Sequence, residues 1–293
     1  MAKQEQKPAV KDFHSPVTPT WCPGCGDFAI WSALKQALAA ESIGPKDVLL
    51  CFDVGCNSNM ADKINAYVFK GLHGRAIPVA IGAKLANQGL PVIAIGGDGG
   101  TLDEGISHLI HGVRSNYNIT FLMHNNCDFG LTTGQATPTT WVGEKMNTAP
   151  TGVIENRMNP VKLVLSMNAS FIARGFTGNI TQLTSLIRAS INHKGFSYLD
   201  VLQHCPTYNH FQDHQWLADR VYDVTEDENF KNDRDYAYSI SEIEESGVAT
   251  GILYQDPESI PYYSRLEYRR DYQTALKDEV KHYDISELMN GFQ

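Results

Sequence analysis

The chain has 293 residues, enough to bury the core of one large α/β domain or of two small ones. Its 24 Lys and Arg stand against 33 Asp and Glu, and the net charge of −9 disfavours a nucleic-acid-binding protein. No run approaches the ~18 apolar residues of a membrane span, and the polar N-terminus lacks the apolar stretch of a signal peptide. We therefore expect a cytoplasmic enzyme with no membrane partner. Clustered cysteines in that compartment bind metals or act in catalysis more often than they form disulfides.

Short apolar runs alternate with segments of helical periodicity between residues 27 and 205. The pattern predicts helices over 27–44, 76–90, 101–118 and 182–195. It predicts strands over 48–55, 91–100, 119–126, 170–175 and 197–205, and the second of these closes in a glycine turn. Repeated strand–helix units indicate an α/β fold with a doubly wound parallel sheet and helices on both faces.

Composition divides the chain into three parts. Residues 1–20 are polar, contain three prolines and are predicted to form an extended N-terminal arm. Residues 21–213 form the predicted α/β domain. Residues 214–293 are acidic and aromatic, and we expect them to form a C-terminal extension that packs on the core or on a neighbouring subunit.

Unusual residues gather in four loops that follow predicted strands. These loops are VGCNSN (54–59), GDGG (97–100), NNCDFGLTTGQ (125–135) and HCPTYN (204–209). The carboxyl ends of parallel strands meet at one edge of a sheet, where ligands bind in open α/β folds. The four loops therefore predict a single site at that edge.

The GDGG loop and the paired asparagines indicate a magnesium-bound phosphate. Glycines between a strand and a helix let the backbone approach a phosphate, which the helix N-terminus attracts. Asp98 would repel that phosphate unless a divalent cation lies between them. Asn126, 28 positions later, supplies a second oxygen, and Mg²⁺ on a diphosphate often needs only one or two protein side chains. Either half alone is also typical of a tight turn.

Of the six cysteines, two have neighbours that argue against a role as metal ligands, and four remain as candidate ligands. Cys51 lies within an apolar strand, and Cys127 is a poor ligand for a hard ion such as Mg²⁺. The remaining four are Cys22, Cys25, Cys56 and Cys205. Only one C-x-x-C pair is present, which weakens the case for a zinc ribbon, and no predicted strand precedes it, which weakens the case for a redox dithiol. An iron–sulfur cluster is favoured, and zinc or separate free thiols stay open.

Longer stretches of the sequence resemble a known family. GDG followed by NN resembles the signature of thiamine-diphosphate enzymes, and residues 97–140 resemble the β subunit of the 2-oxoacid:ferredoxin oxidoreductases, especially the 2-oxoglutarate type. WCPGCG, DVGCNSN, GLHGRA and HCPTYN match the same family in order, so that the resemblance covers residues 14–215. It implies the thiamine-diphosphate-binding fold.

The resemblance also implies roles for individual residues. Asp98 and Asn126 would bind Mg²⁺ through their side chains, and Asp128 through its backbone carbonyl, although relatives usually carry an apolar residue there. Gly100 stands where many relatives have Asp. Catalysis would depend on the cofactor, with His73 as a possible hydrogen-bond donor. The [4Fe–4S] ligands would be Cys22, Cys25, Cys56 and Cys205, and the residues around thiamine diphosphate would be Val54, Gly55, Cys56, Asn57, Ser58, His73, Gly99, Gly100, Gly130, Leu131 and Thr132.

The reaction that the resemblance implies is reversible oxidative decarboxylation of 2-oxoglutarate to succinyl-CoA and CO₂. Electrons would pass through the cluster to ferredoxin, and coenzyme A would take the acyl group. An α subunit would supply the glutamate that activates thiamine, so we expect this chain to be inactive alone and to form a heterodimer, assembled as a dimer of heterodimers. Thr133 stands where some broad-specificity relatives have Lys.

Three alternatives remain at this point. The enzyme could accept pyruvate or a broad range of 2-oxo acids, it could be a non-redox thiamine enzyme with a structural zinc, or it could be a non-catalytic interaction subunit.

Overall fold

The computed structural model describes residues 7–269, 275–279 and 284–291, and its strands form one sheet. The strands are β1 (Leu49–Phe52), β2 (Tyr67–Lys70), β3 (Val92–Gly97), β4 (Thr120–Asn125), β5 (Phe171–Phe176), β6 (Ser197–Leu202), β7 (Val221–Asp223), β8 (Ile243–Glu244) and β9 (Gly247–Gln255). The helices are α1 (Asp27–Ala40), α2 (Ala76–Ala86), α3 (Ile106–Ser115), α4 (Pro160–Ser166), α5 (Ile180–Asn192), α6 (His214–Ala218), α7 (Arg234–Ser239), α8 (Leu276–Glu279) and α9 (Ser286–Asn290).

The centre of the sheet is parallel and buried on both faces. Its order is β2-β1-β3-β4-β6-β5-β9-β7, with β8 paired to β9, and the first six strands in that order run parallel. Strands β4, β5 and β6 are buried along their whole length, as expected for a sheet that helices cover on both faces. This architecture confirms the predicted doubly wound α/β fold.

Two apolar clusters hold the helices against the sheet. Helices α1 and α5 pack on one face, and α2, α3 and α4 pack on the other. The first cluster includes Ile30, Leu34, Leu38, Leu183 and Ile187, and the second includes Ile77, Leu109, Val113, Val161 and Val164. Their spacing at i, i+3 and i+4 explains why these segments form helices that bury one stripe.

The parallel arrangement brings the carboxyl ends of four strands to one edge. Residue Gly97 of β3 pairs with His124 of β4, and Asn125 of β4 pairs with Leu202 of β6. Phe52, the last residue of β1, pairs with Ile95 of β3. The loops that begin at residues 53, 98, 126 and 203 therefore leave the sheet side by side.

Several elements differ from the sequence predictions. The predicted helix over 101–118 is split, because residues 100–104 form a π-helical turn and α3 begins at Ile106. Strand β2 and helix α4 were not predicted. Strand β9 was not predicted either, and it extends the main sheet by antiparallel pairing with β5. Within the N-terminal segment, Phe13 is fully buried in the core.

The predicted C-terminal extension contains the described elements α6 to α9 and β7 to β9, while residues 270–274, 280–283 and 292–293 lie outside the described residues. Among the helices that the structure describes, none combines the length and the apolar character that a membrane crossing requires.

Candidate active site

A cavity of about 230 Å³ opens at the edge where the four loops meet. Its wall contains every residue that the sequence analysis assigned to the thiamine cofactor and to Mg²⁺, with the exception of Ser58. Ser58 lies behind the wall, where its hydroxyl donates to the Gly55 carbonyl at 2.8 Å and shapes that loop. Four further residues line the cavity without having been assigned from the sequence: Gly97, His124, Phe129 and Gln203.

Asp98 is a buried residue of the cavity wall, and a loop distant in sequence holds it. The hydroxyls of Thr137 and Thr139 donate to Asp98 Oδ2 at 2.6 and 2.5 Å. Burial raises the pKa of Asp98 to about 6, and the two hydroxyls oppose that rise because they stabilise the charged form. The threonines therefore hold one oxygen of a buried carboxylate on the cavity wall, while the Asn126 backbone amide donates to the other oxygen at 3.5 Å.

The Asn126–Asp128 loop is fixed by two other segments. Cys127 between them has a φ of 58°, a left-handed conformation that turns the chain sharply. The Asn209 side-chain amide donates to the Asn126 carbonyl at 2.8 Å, and the Thr140 hydroxyl donates to the Cys127 carbonyl at 2.8 Å. These contacts keep the loop in the conformation that points Asn126 and Asp128 toward the cavity.

The donor set suits a hard cation that a ligand helps to bind. Burial raises the pKa of Asp128 to about 7, and the nearby charge of Asp98 acts in the same direction. Within the described ranges, no three His, Cys, Asp or Glu side chains converge closely enough to hold a single metal ion. An ion between Asp98 and Asp128 would therefore need the Asn126 amide, a backbone carbonyl or ligand oxygens to complete its shell.

Four of the six cysteines come together beside the cavity, and all six are free thiols. The sulfurs of Cys56 and Cys205 flank Gly130, where a Cβ would lie 3.5 and 3.6 Å from them. Burial raises the pKa of the Cys56 thiol to about 12, and the charges of Cys205 and Cys22 add to that rise. Cys25, in the same turn as Cys22, likewise interacts electrostatically with Cys56. The structure thus brings together all four cysteines that the sequence analysis grouped.

His73 and Gly100 are neighbours in the cavity wall. His73 Nδ1 lies 2.7 Å from Glu104 Oε1, and its ring packs on Phe129 at 5.8 Å between centroids. A Cβ at Gly100 would stand 2.5 Å from Asp53 Oδ2 and 3.0 Å from His73 Nε2. Gly100 is therefore the residue that leaves room for the Asp53 carboxyl, which the sequence analysis did not single out. Burial raises the pKa of Asp53 to about 7.

Comparisons with known proteins agree with this geometry. Residues 53–201 match the family model of the C-terminal TPP-binding domain of thiamine pyrophosphate enzymes. Residues 205–271 match the model of the C-terminal part of the pyruvate ferredoxin oxidoreductase β subunit. The fold and the glycine-lined cavity thus belong to the class of thiamine-pyrophosphate-binding α/β domains.

Individual relatives narrow this class to one family. A 2-oxoacid:ferredoxin oxidoreductase β subunit of Aeropyrum pernix is 36% identical over 270 residues, which cover 89% of this chain and 85% of that subunit. A second β subunit, from Saccharolobus solfataricus, is 42% identical over 209 residues, 71% of this chain and 68% of the relative. The chain belongs to the family of 2-oxoacid:ferredoxin oxidoreductase β subunits, as the sequence motifs predicted.

A solved structure supports the same conclusion. It is the 2-oxoglutarate:ferredoxin oxidoreductase from Magnetococcus marinus with 2-oxoglutarate, coenzyme A and succinyl-CoA bound. It superposes with a TM-score of 0.86 at 30% identity and covers 99% of this chain and 98% of that chain.

Proposed function

We propose that this chain is the β subunit of a 2-oxoglutarate:ferredoxin oxidoreductase and that it binds thiamine diphosphate, Mg²⁺ and a [4Fe–4S] cluster. The observation that carries the proposal is the convergence of one glycine-lined cavity, two buried carboxyls and four cysteines at one sheet edge. The similar structure with 2-oxoglutarate and succinyl-CoA bound supports this substrate and coenzyme A as the acyl acceptor. Ferredoxin is the electron acceptor that the relatives' names support.

The cavity residues fit a diphosphate with its metal ion. Gly99 and Gly130 have no space for a side chain, since a Cβ would meet the Phe129 ring at 2.3 Å and Asp128 Oδ1 at 2.9 Å. The glycines therefore let the backbone pass close to the Phe129 ring and to the Asp128 carboxyl in the cavity wall. Asp98, Asn126 and Asp128 would hold Mg²⁺ with oxygen atoms. When bound, thiamine diphosphate supplies the electron sink for the carbon that loses CO₂.

The four thiols fit a cluster better than separate structural roles. Burial and the neighbouring thiols raise the pKa of Cys25 and of Cys56, and such thiols gain from a positively charged iron core, because coordination removes their protons and offsets the repulsion. A four-iron core also separates its ligands further than one ion does, consistent with the absence of a compact single-ion group among the described residues. Six free cysteines support a reducing compartment, and we place the protein in the cytoplasm.

The surface around the cavity mouth supports an α-subunit partner. We define the apolar rim as Tyr67, Phe69 and Leu72 of the edge strand and its continuation, together with Val54 and Leu131 of the cavity wall. Phe69 is 51% exposed and Leu72 is 78% exposed. Val54 and Leu131, which are 40% and 50% exposed, line the cavity itself. Large exposed apolar side chains on an edge strand and at the mouth of a cavity support a protein interface.

Reconstitution tests the proposal. The chain is produced with its α subunit without oxygen, iron, zinc and thiamine diphosphate are measured, and ferredoxin reduction is followed with 2-oxoglutarate and with pyruvate. We expect iron, bound thiamine diphosphate, CoA-dependent activity that is higher with 2-oxoglutarate, and no activity without the α subunit. Zinc without iron would refute the cluster, activity of the single chain would refute the need for a partner, and faster turnover of pyruvate would refute the substrate.

A further inference from the structure

A buried aspartate–histidine pair connects the WCPGCG turn with the cavity. Asp27 is the first residue of α1 and follows that turn directly, and His124 lies near the end of β4. Asp27 is 0% exposed and His124 is 2% exposed. His124 Nδ1 lies 2.7 Å from Asp27 Oδ1, within hydrogen-bond distance. The pair is therefore an internal contact between two elements that hold different parts of the site.

Each member of the pair also faces one part of the site. The Cys25 thiol donates to Asp27 Oδ2 at 3.5 Å, so the carboxylate lies between a sulfur and the imidazole. At the other end, His124 Nε2 has no hydrogen-bond partner and the residue lines the cavity. Because a carboxylate accepts hydrogen bonds, the contact with Asp27 favours a proton on Nδ1 of His124.

The close packing of the turn keeps Asp27 in this position. A Cβ at Gly26 would stand 2.7 Å from the Gln203 side chain and 3.1 Å from that of Thr177. The Gly26 amide donates to the His204 carbonyl at 3.3 Å. The start of α1 is therefore pressed against the ends of β5 and β6, and the carboxylate of Asp27 has little freedom to turn away from Cys25.

A fixed carboxylate beside Cys25 has a direct electrostatic consequence. Coordination to iron removes the thiol proton, so the hydrogen bond to Asp27 is lost and the sulfur becomes anionic next to a carboxylate. A buried negative charge at this distance disfavours the addition of an electron, and it acts more strongly than it would in water. The His124 N–H donates to the same carboxylate and reduces the charge that the sulfur experiences.

We propose that Asp27 and His124 are a pair of positioning residues that sets the reduction potential of the cluster on Cys25. In this pair Asp27 lowers the potential and His124 limits how far it falls. The inference rests on the proposed function, because it requires the cluster. Asp27 lies beside Cys25, and the midpoint potential of the cluster can be measured without following the overall reaction.

Redox titration of the anaerobically purified αβ complex, followed by the electron paramagnetic resonance signal of the cluster, tests this assignment. Asp27→Asn removes the charge and is expected to shift the midpoint potential upward. His124→Leu removes the donor and is expected to shift it downward. His124→Asn, which retains an N–H close to the position of Nδ1, is expected to restore the potential toward the wild-type value. The double variant Asp27→Asn/His124→Leu should have nearly the same midpoint potential as Asp27→Asn alone.

Glu41→Gln is the matched control. Glu41 follows the other end of the same helix, roughly 20 Å from Asp27 by the rise of α1, and its loss removes the same charge. Its carboxylate accepts from Arg188 Nε at 2.6 Å and from Asn192 Nδ2 at 2.8 Å. Because it lies far from the cysteines, we expect its variant to keep the wild-type midpoint potential. An equal shift in Glu41→Gln would mean that the effect is not local, and it would overturn the assignment.

The remaining outcomes separate this inference from the proposed function. Iron-free wild-type complex would refute both. Wild-type iron content with an unchanged potential in Asp27→Asn would overturn the inference alone. If Asp27→Asn binds no iron, the midpoint potentials of His124→Leu and Asp27→Glu test the inference in its place. A downward shift in His124→Leu with a near-native potential in Asp27→Glu supports the pair, and an unchanged potential in His124→Leu overturns it.

Discussion

Gly105→Ala tests whether the close contact between two loops shapes the cofactor cavity. A Cβ at Gly105 would lie 2.5 Å from the Gly74 carbonyl oxygen and 3.1 Å from that of Gly100. Both obstacles are backbone atoms, and favourable contact begins at about 3.5 Å, so the loops must separate by roughly 1 Å. The neighbours of these glycines are His73 and Glu104, whose side chains pair at 2.7 Å on the cavity wall.

Overpacking of this kind costs about 1–3 kcal/mol. At roughly 2–4 °C per kcal/mol, the melting temperature of the αβ complex should fall by about 2–12 °C. If displacement of the wall costs the bound cofactor about 1.4 kcal/mol or more of binding free energy, thiamine diphosphate should bind about 10-fold or more weakly. Calorimetric melting and titration of the cofactor-free complex measure the two effects.

Gly82→Ala provides the control for this variant. Gly82 lies within α2, and a Cβ there meets nothing within 4 Å. Alanine at an exposed helical position should stabilise the protein by about 0.5–1 kcal/mol and leave cofactor affinity unchanged. Native melting and native cofactor affinity in Gly105→Ala would refute the reasoning about the loop contact.

Three further predictions concern the metal loop, the interface and acid stability. Asn209→Ala removes the donor to the Asn126 carbonyl and should lower the free energy of unfolding by about 1–3 kcal/mol. Titration should also show weaker Mg²⁺-dependent cofactor binding, and unchanged binding would contradict this prediction. Phe69→Ser should reduce recovery of the α subunit in pull-downs, whereas Ile180→Ser, at another exposed apolar position, should not. Burial lowers the pKa of His193 to about 4, so the unfolded state binds a proton before the folded state does. The free energy of unfolding should therefore fall by up to about 3 kcal/mol as the pH drops from about 6.5 toward 4. Urea unfolding of His193→Gln should show a weaker pH dependence.

The parts of the fold that the sequence predicted are those with strong local patterns. Apolar runs such as residues 92–97 are buried, and their short length, their β-branched residues and the glycines that end them distinguish them from helices. Strand β2 was missed because its four residues are exposed and lack alternation. Strand β9 was missed because it contains two glycines and is identified mainly by its pairing with β5.

The candidate site divides in the same way. Glycine motifs and cysteines can be recognised from residue type alone, so most of the cavity wall and the four grouped cysteines were predicted. Thr137, Thr139 and Asn209 were missed because a hydroxyl or amide that supports a loop from 39 or more positions away has no local signature. His124 was missed for a related reason. On sequence alone it is one more residue of a buried strand, and its partner Asp27 lies 97 positions earlier.

The antiparallel pairing of β9 with β5 affects how the chain can fold during synthesis. Strand β5 joins the parallel sheet through β6, but its other side stays unpaired until residues 247–255 have left the ribosome. During that interval the nascent protein presents a row of free backbone groups on a buried-type strand, which is a template for association with other chains. The late segment therefore acts as a protective cover for the sheet, and shortening the chain before residue 255 should favour aggregation over a smaller working domain.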